Sequence, residues 1–348
     1  MIHSLLKLLP PERAHAIAKW AMRNRIAAPG QRILWMPGSH NAVHGQSLYE
    51  LFGHELDNPL GLAAGFDKNG ELVGSIRAYG FGFLEVGSVT LRGGPGNPKP
   101  RLFRLPGGGL LNRMGLNGDP APLVAERLAK SVECNYGVNI AKTHDPDIVG
   151  DKAIDDVVGS YRILRGHGIY TVLNISCPNT REGKTFEDPG ALRELLEAVS
   201  PFRRYSENTH PAKLLLKLSP TLAHSPTTLM EIIELANRYK IDGFVASNTF
   251  PVTDDVFGDH LTTFQKYGRG GLSGPRVRAL SLLLVKLLRA GGWTKTIIGC
   301  GGISTASDIV DYKLAGADLF QAYYGFVSGP LAGRRFAHDI LESYQEKR

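Results

Sequence analysis

Cysteine is scarce in this chain: Cys134, Cys177 and Cys300 are the only three in 348 residues. Their number is odd, their spacing is not that of a metal site, and no secretory leader precedes them. A disulfide framework is therefore not expected, and a reducing compartment is. Long apolar runs are also missing, since none approaches the roughly 20 residues that a membrane span needs. The glycine-rich dinucleotide loop of a doubly wound open sheet is absent as well, because Gly61-Leu62-Ala63-Ala64-Gly65 after the first apolar strand does not match it. There is no internal repeat beyond an alternation of strands and helices, and no low-complexity tract. The net charge is +7, yet no basic run is interleaved with aromatics. That balance fits an anionic membrane or anionic small ligands better than a nucleic acid.

Glycine is plentiful, with 41 residues, many of them at the ends of apolar runs. Eight such runs read as strands: Leu60–Ala64, Gly82–Val89, Val138–Lys142, Tyr170–Ile175, Leu214–Leu218, Gly243–Ala246, Thr296–Gly299 and Leu319–Tyr323. Helical patterns follow them near 70–79, 120–132, 151–166, 188–204, 226–239, 275–290, 305–315 and 330–345. Eight strand–helix units predict an α/β protein, a (β/α)8 TIM barrel with a small N-terminal helical extension. Two Pro- and Gly-rich insertions, 90–118 with a hairpin over Arg101–Leu111 and 250–274, fall after the second and sixth strands, on the face where barrel loops build active sites. Residues 46–57 read as a hairpin closing the bottom of the barrel.

The division into domains is 1–40 and 41–348. The first segment carries Leu5, Leu6, Leu8 and Leu9, then a Pro10-Pro11 break, then a helix with Ala14, Ile17, Ala18, Ala21 and Met22 on one face. Lys7, Arg13, Lys19, Arg23, Arg25 and Arg32 surround a single acid, Glu12. Short, basic, amphipathic helices suit a membrane interface, and a helical hairpin packed on the barrel is the alternative.

The chemistry gathers after the strands. The fourth strand runs into Asn174-Ile175-Ser176-Cys177-Pro178-Asn179-Thr180, where Pro178 ends the ladder. Carboxamides match the alternating C=O and N–H edges of a planar ring, and a thiol beside such a ring can act as a base through its thiolate. A structural turn with an inert buried cysteine is the plainer reading. Lys217 lies inside the apolar strand Leu214–Leu218, which is costly unless it is paired. It suits either an internal carboxylate or a ring, such as a flavin, that gains negative charge on reduction. Glycines at Gly271, Gly274, Gly301 and Gly302, with a helix start at Ser304, suit a phosphate held by backbone N–H groups.

With these residues in view, the chain resembles the dihydroorotate dehydrogenases. The resemblance rests on Gly61–Gly70, Glu85-Val86-Gly87-Ser88-Val89-Thr90, Asn112–Asn117, Asn174–Asn179, Ser247-Asn248-Thr249, Gly270–Gly274 and Ile298–Ile303, and it covers nearly the whole chain. Pro11-Glu12-Arg13-Ala14-His15 in the basic segment is similar to the class 2, quinone-dependent, membrane-associated branch. The resemblance implies FMN as cofactor, held by Ala64, Gly65, Phe66, Asp67, Lys68, Ser88, Asn139, Asn174, Lys217, Ser247, Gly274, Gly302, Tyr323 and Tyr324, and no metal. It implies dihydroorotate held by Lys68, Asn112, Arg113, Met114, Gly115, Leu116, Asn174, Asn179, Asn248 and Thr249, with Cys177 as the catalytic base. The implied reaction is oxidation of dihydroorotate to orotate in pyrimidine biosynthesis. A quinone is the implied electron acceptor, and the enzyme would lie peripherally on the cytoplasmic face of the inner membrane without a nucleic-acid partner.

The chain departs from that pattern in places. Cys177 stands where class 2 enzymes usually carry serine, and is the residue of class 1 and of dihydropyrimidine dehydrogenases. Ser88 and Ser247 stand where threonine is common, and Tyr324 replaces a small hydroxyl residue. Arg181–Phe186 replaces the usual Pro-Gly-Leu-Arg. A related FMN oxidoreductase acting on another cyclic amide or ene compound is therefore the alternative. A non-catalytic membrane-surface or RNA-binding barrel comes after it.

Overall fold

The computed structural model describes residues 6, 8–26, 49–131, 135–176, 185–203, 213–253, 259–333 and 335–345. Eight parallel strands close into a barrel: β3 (Leu60–Leu62), β4 (Phe83–Val89), β7 (Tyr136–Ile140), β8 (Tyr170–Asn174), β9 (Leu214–Leu218), β10 (Gly243–Ala246), β13 (Thr296–Cys300) and β14 (Leu319–Ala322), which pairs back onto β3. Helices α2 (Ala121–Ala129), α3 (Asp151–Leu164), α4 (Pro189–Arg203), α5 (Pro226–Arg238), α7 (Pro275–Ala290), α8 (Ala306–Ala315), α9 (Tyr324–Ser328) and α10 (Phe336–Gln345) follow successive strands. Side chains alternate along each strand. Leu214, Leu216 and Leu218 face the helices, while Leu215 and Lys217 face the barrel axis. Each fully buried aliphatic or aromatic side chain contributes about 1.5–3 kcal/mol, and most of that surface lies in the layer between strands and helices.

The hairpin β1 (Glu50–Leu51) and β2 (His54–Glu55) places Tyr49, Leu51 and Leu56 against Phe83, Tyr170, Leu215 and Leu319, plugging the lower end of the barrel. The unit after β3 differs from the expected helix over 70–79. Only a short 3-10 turn forms there, Ile76–Tyr79. Gly70 takes a positive φ, and the Asp67 carboxylate instead accepts from the backbone N–H groups of Glu71 and Leu72, at 2.9 and 2.7 Å. The two insertions are not separate flaps. Strands β5 (Leu102–Arg104) and β6 (Leu110–Asn112) of the first join β11 (Phe250–Val252) and β12 (Gly270–Ser273) of the second in one antiparallel sheet, ordered β11-β12-β6-β5, with α6 (Asp259–Tyr267) beside it.

Helix α1 (Pro11–Arg23) packs against β5. Ala14 and Met22 are buried, and Met22 belongs to the main core. Ile17, expected on that same face, is instead 46% exposed, beside Trp20 at 59%. Position 17 lies about 100° around the helix from the middle of the face formed by Ala14, Ala18 and Met22, and so turns to its outer flank.

Candidate active site

The upper end of the barrel opens into a cavity of about 500 Å³. Ala64 and Gly65 after β3, Ser88 on β4, Asn174 on β8, Lys217 on β9, Ser247 after β10, Gly302 after β13, and Tyr323 and Tyr324 after β14 all line it. Lys68, Asn248 and Thr249 line it too, as do Asn112, Arg113, Met114, Gly115 and Leu116 from β6 and its following loop. Three of the residues singled out in the sequence lie beside this cavity. Phe66 lines a neighbouring cavity, Asp67 is buried beneath the turn it caps, and Asn139 sits one layer below Ser88. Cys177 and Asn179 fall outside the described residues, as do Arg181 to Lys184.

A buried polar circuit forms the cavity floor. Ser88 Oγ donates to Asn139 Oδ1 at 2.5 Å, and Asn139 Nδ2 donates to Glu85 Oε1 at 2.8 Å. Lys217 Nζ reaches the same carboxylate at 3.2 Å, and Gln321 Nε2 binds its other oxygen at 2.8 Å. Burial alone would push the Lys217 ammonium down, but the adjacent Glu85 carboxylate outweighs it and holds Lys217 above its ordinary value, fully protonated at neutral pH. Burial pushes the nearby Cys300 thiol up, and it stays neutral. Above the floor, Asn174 Nδ2 donates to Ser88 Oγ at 3.2 Å, and Asn248 Nδ2 donates to Asn174 Oδ1 at 3.2 Å and to Ser176 Oγ at 2.9 Å. Lys68 Nζ donates to Asn117 Oδ1 at 2.8 Å at the far side of the mouth.

Glu85 was the functional residue that sequence reasoning passed over, although it sits in the quoted stretch Glu85–Thr90. The signal was available: an acid inside the apolar strand Phe83–Val89 invites the same question as a lysine inside Leu214–Leu218. Lys217 meets the expectation of an internal carboxylate partner. It pairs with a carboxylate and it lines the cavity, and among the described residues only one of its three N–H donors is used. The remaining donors aim a fixed positive charge at whatever fills the cavity. Among the other lining residues, Gly274 stands just before α7 with φ +102°, and Gly302 has φ +74°. A Cβ at Gly302 would lie 2.6 Å from the Arg278 side chain. Bare backbone at the N-terminus of the 16-residue helix α7 can approach a phosphate closely. The cavity lining thus offers a fixed positive charge and bare backbone at a helix N-terminus, a donor set that fits a group carrying negative charge and a phosphate.

A model of the Dihydroorotate dehydrogenase family matches residues 48–344. The chain belongs to the dihydroorotate dehydrogenase family. It is an oxidoreductase, and the family is flavin-dependent. The dihydroorotate dehydrogenase (quinone) of Mycobacterium tuberculosis is 40% identical over 350 residues, 98% of this chain and 92% of that protein. The protein of the same name from Thermus thermophilus is 36% identical over 98% of this chain and 95% of its own length. Among solved structures, the DHODH of Eimeria tenella in complex with ferulenol superposes with a TM-score of 0.79 at 28% identity, covering 96% of this chain and 90% of that one.

A second cavity of about 480 Å³ lies between the barrel and α1. Its walls are mostly apolar: Ala14, Ala18, Met22, Phe66, Tyr79, Phe326 and Leu331 among them, with Arg104, Arg335 and Asp339 the charged residues that line it. His15, Leu102, Leu110 and Tyr323 line both cavities, so these side chains are the partition between them. His15 Nε2 is 2.9 Å from the Phe66 carbonyl oxygen, which can only accept, so this nitrogen carries the ring proton. Burial pushes His15 down to about 4, and it is a neutral imidazole at physiological pH. Burial also pushes the Tyr323 hydroxyl up to about 12. The partition is therefore uncharged.

Proposed function

We propose that this chain oxidises dihydroorotate to orotate at the barrel mouth, with FMN as cofactor, and delivers the electrons to a quinone held between the barrel and α1. The observation that carries the reading is the thin, uncharged wall shared by a polar cavity and an apolar one. A pyrimidine and a lipophilic acceptor need different solvents, and here both are within a side chain of the same ring site. FMN supplies two-electron chemistry against C6 of the substrate. The chain's own part is positioning and proton removal. Lys217 would answer the negative charge the ring gains on reduction, and backbone N–H groups at Gly274 and Gly302 would donate to the phosphate. Asn112, Asn174, Asn179 and Asn248 read the pyrimidine edges, and Thr249 and the 112–116 loop close on them. Lys68 answers the substrate carboxylate, and Cys177, class 1-like in this otherwise class 2 chain, takes the C5 proton.

Anaerobic mixing tests this directly. Dihydroorotate should bleach the yellow protein within its turnover time, and a short-chain quinone should restore the colour. A yellow protein that dihydroorotate leaves unbleached belongs to the alternative, an oxidoreductase of the same build for another cyclic amide.

The same proposal divides the chain at residue 40, with 1–40 serving the acceptor and the membrane and 41–348 forming the catalytic barrel. Among the described residues no helix is long and apolar enough to cross a membrane. The outer side of the N-terminal segment is nevertheless greasy: Leu8 is 82% exposed, Ile26 61%, and Ile17 and Trp20 lie between them, next to exposed Arg13 and Arg23. Apolar side chains flanked by arginine suit the headgroup boundary of an anionic bilayer, here the cytoplasmic face of the inner membrane. Replacing Ile17 and Trp20 with serine should lower affinity for vesicles of anionic phospholipid by at least about tenfold, because each lost side chain forfeits about 1.5–3 kcal/mol of insertion. Flavin bleaching by dihydroorotate should be unaffected. Equal co-sedimentation of the variant and the parent would remove the membrane role from this face.

A further inference from the structure

Arg101 is a buried guanidinium whose side chain is 7% exposed, and it stands where two loops and a helix meet. Its Nη1 donates to the carbonyl oxygens of Pro95 at 2.5 Å and Asn97 at 3.0 Å, and comes within 3.5 Å of that of Met114. Its Nε and Nη2 both reach Glu12 Oε1 on α1, at 3.1 and 2.8 Å. The loops tighten around it. Asn97 N donates to Met114 O at 3.0 Å, Asn97 Nδ2 donates to Arg113 O at 2.8 Å, and a Cβ at Gly96 would fall 2.1 Å from Met114 O. The carbonyls of Arg113 and Met114 are thus held by Asn97 and Arg101, within a segment that lines the cavity.

Glu12 is the one acid in the basic N-terminal segment, and it lies one helical turn before His15. A single turn of α1 therefore carries both the partition between the cavities and the carboxylate that anchors Arg101. Arg101 presents five donors in a rigid fork, so its position is set by the acceptors around it. Without the carboxylate it keeps only the loop carbonyls, which cannot neutralise a buried cation.

We infer that Glu12 is a positioning residue for pyrimidine binding: through Arg101 it fixes the 112–116 loop, and so makes substrate affinity depend on the N-terminal helix. This rests on the reading that residues 112–116 hold the substrate. The consequence is that the N-terminal segment serves the dihydroorotate half of the reaction as well as the acceptor half. A docked helix gives an ordered pyrimidine loop, and a helix pulled from its seat loosens it.

The test is titration of the FMN-loaded full-length protein with orotate, followed by the flavin absorbance change, together with steady-state kinetics on dihydroorotate. Glu12→Ala should raise the orotate Kd and the dihydroorotate KM each by about tenfold, with kcat changing less than about twofold. Glu12→Gln keeps an acceptor oxygen but not the charge, and should fall between, with Kd raised about threefold. Lys99→Ala should match the parent, since Lys99 approaches the same carboxylate only at 3.5 Å with its side chain 71% exposed. A packing role alone would lower stability without separating KM from kcat and without rescue by glutamine. If Glu12→Ala purifies without flavin, Glu12→Gln decides the matter. A parental orotate Kd in the decisive variant overturns the inference. A parental protein whose spectrum orotate leaves unchanged overturns instead the substrate reading beneath it.

Discussion

Cys177→Ala should slow flavin reduction by dihydroorotate by about 10²–10⁴-fold while FMN stays bound, the loss expected when a general base is removed from a formed site. Ser176 is buried at the end of β8, where its Oγ donates to Asn174 Oδ1 at 3.1 Å and accepts from Asn248 Nδ2. The strand end is thus tied into the ring of amides proposed to read the pyrimidine. Cys177 follows directly in the chain, and its thiol is suited to removing a proton. A thiol of pKa about 8.5 is already a few per cent thiolate at pH 7, whereas a serine hydroxyl needs a relay to lose its proton. Cys177→Ser should therefore keep partial activity with a pH profile moved to higher pH. Alkylation should stop turnover and orotate should protect. Cys300 serves as the internal contrast, because burial holds its thiol neutral and therefore unreactive. Stopped-flow reduction of Cys177→Ala at the parental rate would show that the base lies elsewhere.

Lys217→Met is the second large effect. Glu85 is wholly buried, and Lys217 is its only cationic partner among the described residues. Removing one member of a buried ion pair costs about 3–5 kcal/mol, a large share of the 5–15 kcal/mol by which domains are ordinarily stable. The variant should melt well below the parent and purify with little FMN. Those two losses have separate causes, and a second substitution separates them. In Lys217→Met/Glu85→Gln no charge is stranded, so thermal stability should return most of the way. The positive charge aimed at the cofactor is still missing, and FMN affinity should remain at least about tenfold below that of the parent. A double variant that binds FMN as tightly as the parent would reduce Lys217 to a structural partner of Glu85. A single variant as stable as the parent would mean that the pair contributes nothing to the fold.

Much of the molecule is written locally. Eight short apolar runs separated by amphipathic helices specify a parallel barrel, because each strand must be covered on its outer face and each helix must bury one stripe. The placing of Ser88, Asn174, Lys217 and Ser247 at strand ends is equally local, since alternation decides that Leu215 and Lys217 turn inward together while Leu214 and Leu216 turn out. The basic N-terminal helix and its prolines could also be read from order alone. What could not be read is which distant groups meet. Glu85 and Lys217 are 132 residues apart, Glu12 and Arg101 are 89 apart, and Asn112 of the first insertion binds Gly271 of the second across 159. Hydropathy and spacing state which side chains need partners, and only closure of the barrel and docking of α1 supply them. The expected helix over 70–79 failed for a local reason instead, as the Asp67 carboxylate, four and five residues upstream, captured the amides that would have begun it. The sequence by itself determined the architecture and the chemical kind of its mouth, because these follow from interactions between near neighbours. The tertiary structure decided the Glu85–Lys217 pair on the cavity floor, the shared wall of the two cavities and the contact of Glu12 on α1 with Arg101, because each is a contact between segments that no local pattern brings together.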